Sequence, residues 1–499
     1  DNYLGFLVSG FTVNPHDDVV VKITGGAGFH HHKMNAEINN NITVEYSDGF
    51  STPPDTEYSL SDLPQNMRSE DTSIYAQGRL DFDWSLGRGF IFSAGGEELY
   101  SRWLYDERGL FLIEERADPS VIPSIPLELY YVNFTSDVKN HGFESSLYSL
   151  LEYQSENQRF GAEIGVRADH LYFMGRGFTL QTMPVVNPRI NLDFTPLRNK
   201  GIVEGLTLTL GTGLFSSMNR VMRFIEEKYD IDDFEYKPAR SWTSVAGIKM
   251  DFSGGFSLTI EGYYKYIYNR TYVFAGTDPL THDITTHAGF DGEGRVWGFD
   301  LMLQKFSSRY WDGWISYSFN VARYRDPEGV ESGLSVNGGE LNGSSWYYPE
   351  FHRFHNLNLV VNYKPTRIFR ITTRLGFASG VPERTSGEVL SYPVQIDVPG
   401  DPNNGKVIEK WQRASEYSDT ARGGFTLPLD LKFSFLGFNR KGRVQSEVYI
   451  AVENALVMVL PKSGASSFNS YTGREEEGNS GSQDVLPIPM ISLGFKWSF

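Results

Sequence analysis

The chain has 499 residues, a net charge of −17 and a pI near 5.1, with aromatic residues at 14% and 50 glycines. An acidic balance without basic clusters excludes a nucleic-acid partner, and the absence of cysteine removes disulfides, thiolate metal sites and cysteine nucleophiles. No uninterrupted apolar run reaches the roughly 18 residues of a membrane helix, which excludes a helical inner-membrane protein.

The opening "DNYLGFLVSG" has neither the basic start nor the cleavage pattern of a signal peptide. The first element is the segment "YLGFLVSGFTV", read as a strand that precedes the turn "NPHDD". Further along, in "GLTLTL", Leu206, Leu208 and Leu210 alternate with Thr207 and Thr209. In "FSLTIEGYYKYIYN", Leu258, Ile260, Tyr264, Tyr266 and Tyr268 oppose Thr259, Glu261 and Lys265. Trp297, Phe299, Leu301 and Leu303 oppose Gly298, Asp300, Met302 and Gln304, and Ile315, Tyr317, Phe319 and Val321 oppose Ser316, Ser318 and Asn320. Near the end, Leu429, Leu431, Phe433 and Phe435 face away from Asp430, Lys432 and Ser434. The last strand sets Ile491, Leu493, Phe495, Trp497 and Phe499 on one side. A period of two with one apolar face is a β-strand lying between an apolar and a polar environment.

About seventeen such segments occur, each of the roughly 9–11 residues that a tilted strand needs to cross a bilayer. Their connections alternate. "NPHDD", "SLGRG", "QSENQ", "PLRNKG", "FSGGF", "SSRYWDG", "KPTRI" and "GFNRKG" are short, while those between them are long and polar. A soluble sandwich or propeller would bury its apolar faces in Val and Ile. Here Tyr, Trp and Phe gather toward strand ends, as in an aromatic girdle. The expectation is an all-β fold, a large antiparallel transmembrane β-barrel occupying residues 1–499, with short periplasmic turns and long extracellular loops. An open edge in hydrocarbon leaves backbone groups unpaired, so closure is required. The first strand then runs inward from the extracellular side, and since barrels start in the periplasm, at least one strand is expected upstream of Asp1.

Several stretches resemble the barrel of a TonB-dependent outer-membrane transporter. "GVRADHLY", with Gly165, Arg167 and Asp169, is similar to that family's glycine–arginine–aspartate strand, and Asn187, Pro188 and Arg189 match its Asn-Pro-Arg opening. Pro238, Ser241 and Gly247 resemble its proline-to-serine strand start, and Asn454 with the terminal Phe499 completes the set. The resemblance implies a barrel of about 22 strands, the plug and first few strands lying outside this sequence. It also implies residence in the outer membrane of a Gram-negative-type bacterium and energy from a TonB–ExbB–ExbD complex acting on the plug. The implied cargo is a scarce solute: a siderophore, metal chelate, cobalamin or oligosaccharide. A lipoprotein lid is a further partner, alongside outer-membrane lipids. The second reading is a passive porin-type channel, which needs only closure and a polar lumen, and the third an adhesin or receptor without transport.

Candidate ligand chemistry lies at strand tops. "FHHHK" and "THDITTH" bring imidazoles together, so His30, His31, His32, His282, Asp283 and His287 are candidate metal ligands. Side chains alternate along a strand, and at most two of the first three share a site. In "SSWYYPEFHRFH", Trp346, Tyr347, Tyr348, His352 and His355 are candidate contacts for a ring-bearing solute. Solvated loop residues or interfacial anchors would use the same side chains. Arg167, Asp169, Arg189, Asp193, Asp300, Arg370 and Arg374 are expected to face the lumen and pair there with one another or with a plug domain. No G-x-S-x-G, H-E-x-x-H or P-loop motif is present, so no enzyme and no cofactor are expected.

Overall fold

The structure, a computed structural model, describes residues 2–46, 56–116, 127–176, 178–217, 236–277, 284–306, 308–326, 346–396, 407–438, 444–456, 466–468, 475–477 and 489–497. Among the described residues every regular element is a strand. The first five are β1 (Asn2–His16), β2 (Val19–Tyr46), β3 (Thr56–Gly87), β4 (Phe90–Arg116) and β5 (Leu127–Gln154). Then come β6 (Phe160–Gly175), β7 (Phe178–Gln181), β8 (Val185–Lys200), β9 (Val203–Ser217), β10 (Ala239–Phe252), β11 (Phe256–Thr277) and β12 (Ile284–Lys305). These are followed by β13 (Trp311–Arg325), β14 (His355–Tyr363), β15 (Phe369–Ala378), β16 (Pro382–Ile396), β17 (Val407–Arg422), β18 (Leu429–Phe438) and β19 (Val444–Glu453). The short pair β20 (Ser466–Phe468) and β21 (Glu475–Glu477) precedes β22 (Met490–Trp497).

Twenty strands form one sheet. Short β7 branches beside β6, and β16 with β17 forms an arm, which leaves seventeen antiparallel strands succeeding one another as the wall. Each pairs with its neighbour in sequence, β6 passing to β8, β15 to β18 and β19 to β22. The wall curls: the arm strand β16 meets β5 in a short parallel ladder, Val394–Ile396 against Leu127–Leu129. Among the described residues no ladder joins β1 to β22.

Seven of the eight turns expected to be short are short connections, and most of the eighth, "GFNRKG", lies outside the described residues. At β10–β11, Gly254 and Gly255 take φ of +85° and +75°, a left-handed backbone that glycine adopts without steric cost. At the other end the strands run far past a bilayer's thickness. β2 has 28 residues and β3 has 32, and they pair almost throughout. Much of what reads as long polar loop is therefore paired strand. Paired backbone satisfies its own hydrogen bonds in water as well as in lipid, and no second solvent imposes alternation there.

Register fixes the two faces of the wall. Leu303, Ile315 and Leu359 stand opposite one another across β12, β13 and β14, as do Leu301, Tyr317 and Leu357. The first row continues through Leu375 and Leu429, and on the same face Leu431, Val452 and Ile491 stand opposite one another, beside the exposed Leu493 and Phe495. Near the short turns aromatic rings meet in pairs, Phe90 with Tyr153 at 4.5 Å, Phe369 with Phe435 at 4.9 Å and Phe256 with Trp311 at 6.1 Å, and Lys305 Nζ caps the Phe256 ring at 4.4 Å. That is the girdle of a transmembrane barrel.

The opposite face is polar and paired. Lys22 meets Asp83 (3.1 Å), Arg79 meets Asp81 (2.8 Å), Arg167 meets Asp169 (2.7 Å), Arg189 meets Glu163 (3.4 Å), Lys432 meets Glu447 (2.8 Å) and Arg374 meets Asp430 (3.5 Å). Lys364 also binds Asp312. Strand β1 departs from this rule, because Leu4, Phe6 and Val8 make its inner face apolar as well, each more than 60% exposed. Among the described residues Trp103, Leu171, Phe173, Leu180 and Tyr236 form a compact buried cluster beneath the β6–β7 branch.

Candidate functional site

The segment 346–354 lies along β13 and continues its hydrogen-bonding edge. Tyr324 and Tyr347 exchange both backbone bonds (2.8 and 2.9 Å), and Asn320 N donates to Phe354 O (3.0 Å). Alternation then sends consecutive side chains through opposite sides of the wall. Tyr347 turns inward, donating to Asp326 Oδ2 (2.6 Å) and accepting from Arg270 Nη2 (3.0 Å); Arg270 also binds Asp326 directly. Trp346 and Tyr348 turn outward. Tyr348 lies between the guanidinium groups of Arg323 (4.6 Å) and Arg422 (4.5 Å), and Trp346 meets Arg295 (4.6 Å) and Arg325 (5.6 Å).

His352 is 1% exposed. Its Nε2 donates to Asn320 O (3.2 Å), while Nδ1 faces Arg422 Nη1 at 3.0 Å and so accepts. That pattern fixes a neutral imidazole. Burial, with Arg422 and Arg323 adding like charge, pushes its pKa down to about 4. His355 begins β14, with Nδ1 2.9 Å from the Tyr317 hydroxyl on the apolar face. The five aromatic and histidine candidates are thus gathered in one place, on two sides of one wall.

On the inner side, segment 346–354 overhangs a recess of about 260 Å³ lined by Tyr263, Asp300, Ser318, Asn320, Phe351 and Asn356, with His352 and Arg353 at its edge. Asn320 Nδ2 donates to the Tyr263 hydroxyl (2.8 Å), and Arg353 is held by Ser379 O (2.7 Å). Gly298 makes room for the Tyr263 ring: a Cβ there would stand 2.1 Å from Phe319 O and 2.7 Å from the Tyr263 hydroxyl. Asp300 faces Glu261 across the β11–β12 register. Among the described residues neither carboxylate makes an ion pair, and nor does Asp193, whereas Asp81, Asp83, Asp169, Glu163, Glu447, Asp430 and Asp312 are matched with cations. Like charges opposed on neighbouring strands repel, and a donor-rich or cationic solute would relieve that repulsion.

The histidine run behaves differently. His30, His31 and His32 lie consecutively on β2, so His31 faces outward while the other two face inward. His30 Nε2 is 2.9 Å from Asn2 Oδ1 and His31 Nδ1 is 2.8 Å from Thr72 Oγ1. Among the described residues no group of three metal-ligating side chains converges. His287 stands on β12 opposite Phe274, and His282 and Asp283 lie outside the described residues.

The motif residues of β6 and β8 form one inward-facing network. Asp169 receives Arg167 Nε (2.7 Å), Asn187 Nδ2 (2.8 Å) and Ser216 Oγ (3.2 Å), and Arg167 Nη2 donates to Ser146 Oγ (2.6 Å). Sequence reasoning had Ser318, Asn320 and Asp300 on the polar side of their strands but no signal that they share a recess. Arg422 comes from the arm, 70 residues from His352, and no local pattern announces that meeting.

A wall of sequential hairpins, apolar outside and ion-paired inside, with long arms above a polar recess, defines a large transmembrane β-barrel of the receptor kind. The chain belongs to the TonB dependent receptor-like, beta-barrel family, which matches residues 7–455. Among solved structures it is similar to the pyoverdine outer membrane receptor FpvA from Pseudomonas aeruginosa PAO1, at 12% identity and a TM-score of 0.58, covering 100% of this chain and 62% of that one. The siderophore receptor PiuA from Acinetobacter baumannii gives 13% identity and a TM-score of 0.53, covering 96% and 63%. The copper transporter OprC gives 11% and 0.54, covering 99% and 70%. At such identities the likeness is one of fold. The chain spans between about half and two thirds of the length of the first of these receptors. No curated protein matches the sequence.

Proposed function

We propose that residues 1–499 form the barrel of an outer-membrane receptor that captures a scarce solute at its long-loop end and imports it with energy from a TonB–ExbB–ExbD complex acting through a plug. Family membership supports the reading. The observation that carries it is the polar recess beneath segment 346–354, where Asp300, Ser318, Asn320 and Asn356 present acceptors and donors toward the lumen. A recess with a carboxylate and amides suits a hydrogen-bonding solute such as a siderophore, a metal chelate, cobalamin or an oligosaccharide. Of the aromatic candidates, Tyr347 braces the overhang from the inner side.

Uptake of a labelled metal chelate by cells expressing the full-length receptor tests this. Uptake should stop when the proton-motive force is collapsed, and Asp300→Ala should raise the half-saturating concentration by about tenfold, the equivalent of one charge-assisted hydrogen bond. Uptake that continues without the proton-motive force would establish a passive channel instead.

A further inference from the structure

The floor of the recess is a row of polar side chains left open. Register sets Asp300, Ser318 and Asn356 opposite one another across β12, β13 and β14, and the row ends at Ala378 on β15. Among the described residues none of these three side chains makes a hydrogen bond or an ion pair. Elsewhere on the same face such groups bond their neighbours: Asn191 donates to Glu163 (3.2 Å), Asn362 to Asp312 (2.8 Å), Thr372 to Asn362 (2.7 Å) and Ser434 to Glu447 (2.8 Å). An open row in a wall that otherwise satisfies itself leaves its donors and acceptors to a solute.

Opposite charges bracket the row. Asp300 supplies a carboxylate at the β12 end, while its register neighbour Glu261 leans the other way, over Gly247 of β10, where an added Cβ would stand 3.0 Å from its Cγ. At the far end Arg353 gives one Nη1 bond to Ser379 O, just past Ala378 (2.7 Å). That carbonyl holds the guanidinium in place but neutralises no charge. Among the described residues Arg353 has no carboxylate partner, and its Nε and Nη2 make no hydrogen bond. Asp300 and Arg353 thus line one recess without pairing with each other. From β12 to β15 is three strand spacings, about 14 Å. A hydrogen bond of about 3 Å at each end leaves about 8 Å, the reach of two to three extended residues.

We infer that the recess binds a dipolar solute, its ammonium at Asp300 and its carboxylate at Arg353, with the two ends separated as in a peptide of two or three residues. Ser318 and Asn356 lie between, and a hydroxyl and a carboxamide each donate and accept, which matches the amide groups of such a chain. A free α-amino acid carries both charges on one carbon and meets only one end. This names the cargo class of the proposed receptor and rests on that reading for passage of the solute inward.

Isothermal titration calorimetry of the purified full-length receptor with trialanine is the test. Trialanine should bind, and its N-acetylated form, its C-terminal amide and free alanine should each bind about tenfold more weakly. Asp300→Asn should weaken trialanine about tenfold and abolish its advantage over the acetylated form while keeping its advantage over the amide. Arg353→Gln should do the reverse. Asp193→Asn, which removes an unmatched inward carboxylate on β8, should change nothing. If Arg353→Gln is recovered unfolded, the pattern in Asp300→Asn decides. No binding of trialanine, equal binding of all four probes, or an Asp300→Asn variant that weakens every probe alike would overturn the inference. Titration needs no energy source, so the expected pattern in a receptor whose uptake ignores the proton-motive force would overturn the transport reading alone.

Discussion

Protonation of His352 should open the segment that roofs the recess. The imidazole is buried and neutral, with Arg422 and Arg323 at one side and Asn320 O at the other, and its pKa is about 4 where a solvated histidine has 6.5. A depressed histidine pKa means that the opened state takes up the proton more readily. Stability of the closed segment is therefore complete above about pH 6.5, falls as the pH drops toward 4, and changes no further below. At about pH 5 the opened form gains roughly a thirtyfold advantage, or about 2 kcal/mol. The assay is amide exchange of a peptide covering residues 346–356, expressed as protection factors so that the intrinsic pH dependence cancels. Protection should drop about thirtyfold between about pH 7.5 and pH 5 in wild type. It should stay level in His352→Gln, whose amide cannot take up a proton. Unchanged protection in wild type, or an equal drop in the variant, would refute the reasoning.

Three further outcomes follow from the wall. Gly298→Ala drives a methyl into the β13 backbone and should destabilise the barrel by about 1–3 kcal/mol, read as a lower temperature for loss of compact electrophoretic mobility. Leu301→Arg, on the outward face, should cut assembly into membranes sharply, at about 2–4 kcal/mol for a charge near the bilayer centre, whereas Ser316→Arg on the inward face should assemble normally; equal assembly would negate the assignment of faces. Asp169→Ala removes the acceptor shared by Arg167, Asn187 and Ser216 and should cost about 1–3 kcal/mol in the same mobility assay.

The wall was legible because its two sides face different solvents. Ile315, Tyr317 and Phe319 must meet something apolar and Ser316, Ser318 and Asn320 something polar, so a period of two writes strand, face and register together. The short turns were legible for the related reason that glycine and charged residues punctuate each return. Beyond the band that logic lapses: β2 and β3 continue as a ladder where both faces are wet, and their residues 30–40 carry no alternation to read. The recess and the overhang were hidden because they depend on distant pieces. Arg422 reaches His352 from the β16–β17 arm, and "FHRFH" in isolation reads as exposed loop although its first histidine is sealed from water. Arg295 and Arg323 were visible on their strands separately, but only register sets them in one row.

The arm itself bears on how such a wall accepts new material. Between β15 and β18 the chain leaves for residues 379–428, yet β16 and β17 pair with each other, and Gly423 N donates to Val381 O (2.9 Å) where the excursion begins and ends. An unpaired detour of that length would charge its full closure entropy to the β15–β18 rung. A detour that zips itself shut presents the wall with two adjacent ends, so that rung forms almost as if the strands were joined by a tight bend. The barrel can thus be elaborated by grafting whole hairpins at its rim, each insertion carrying its own means of closure and leaving the register below undisturbed.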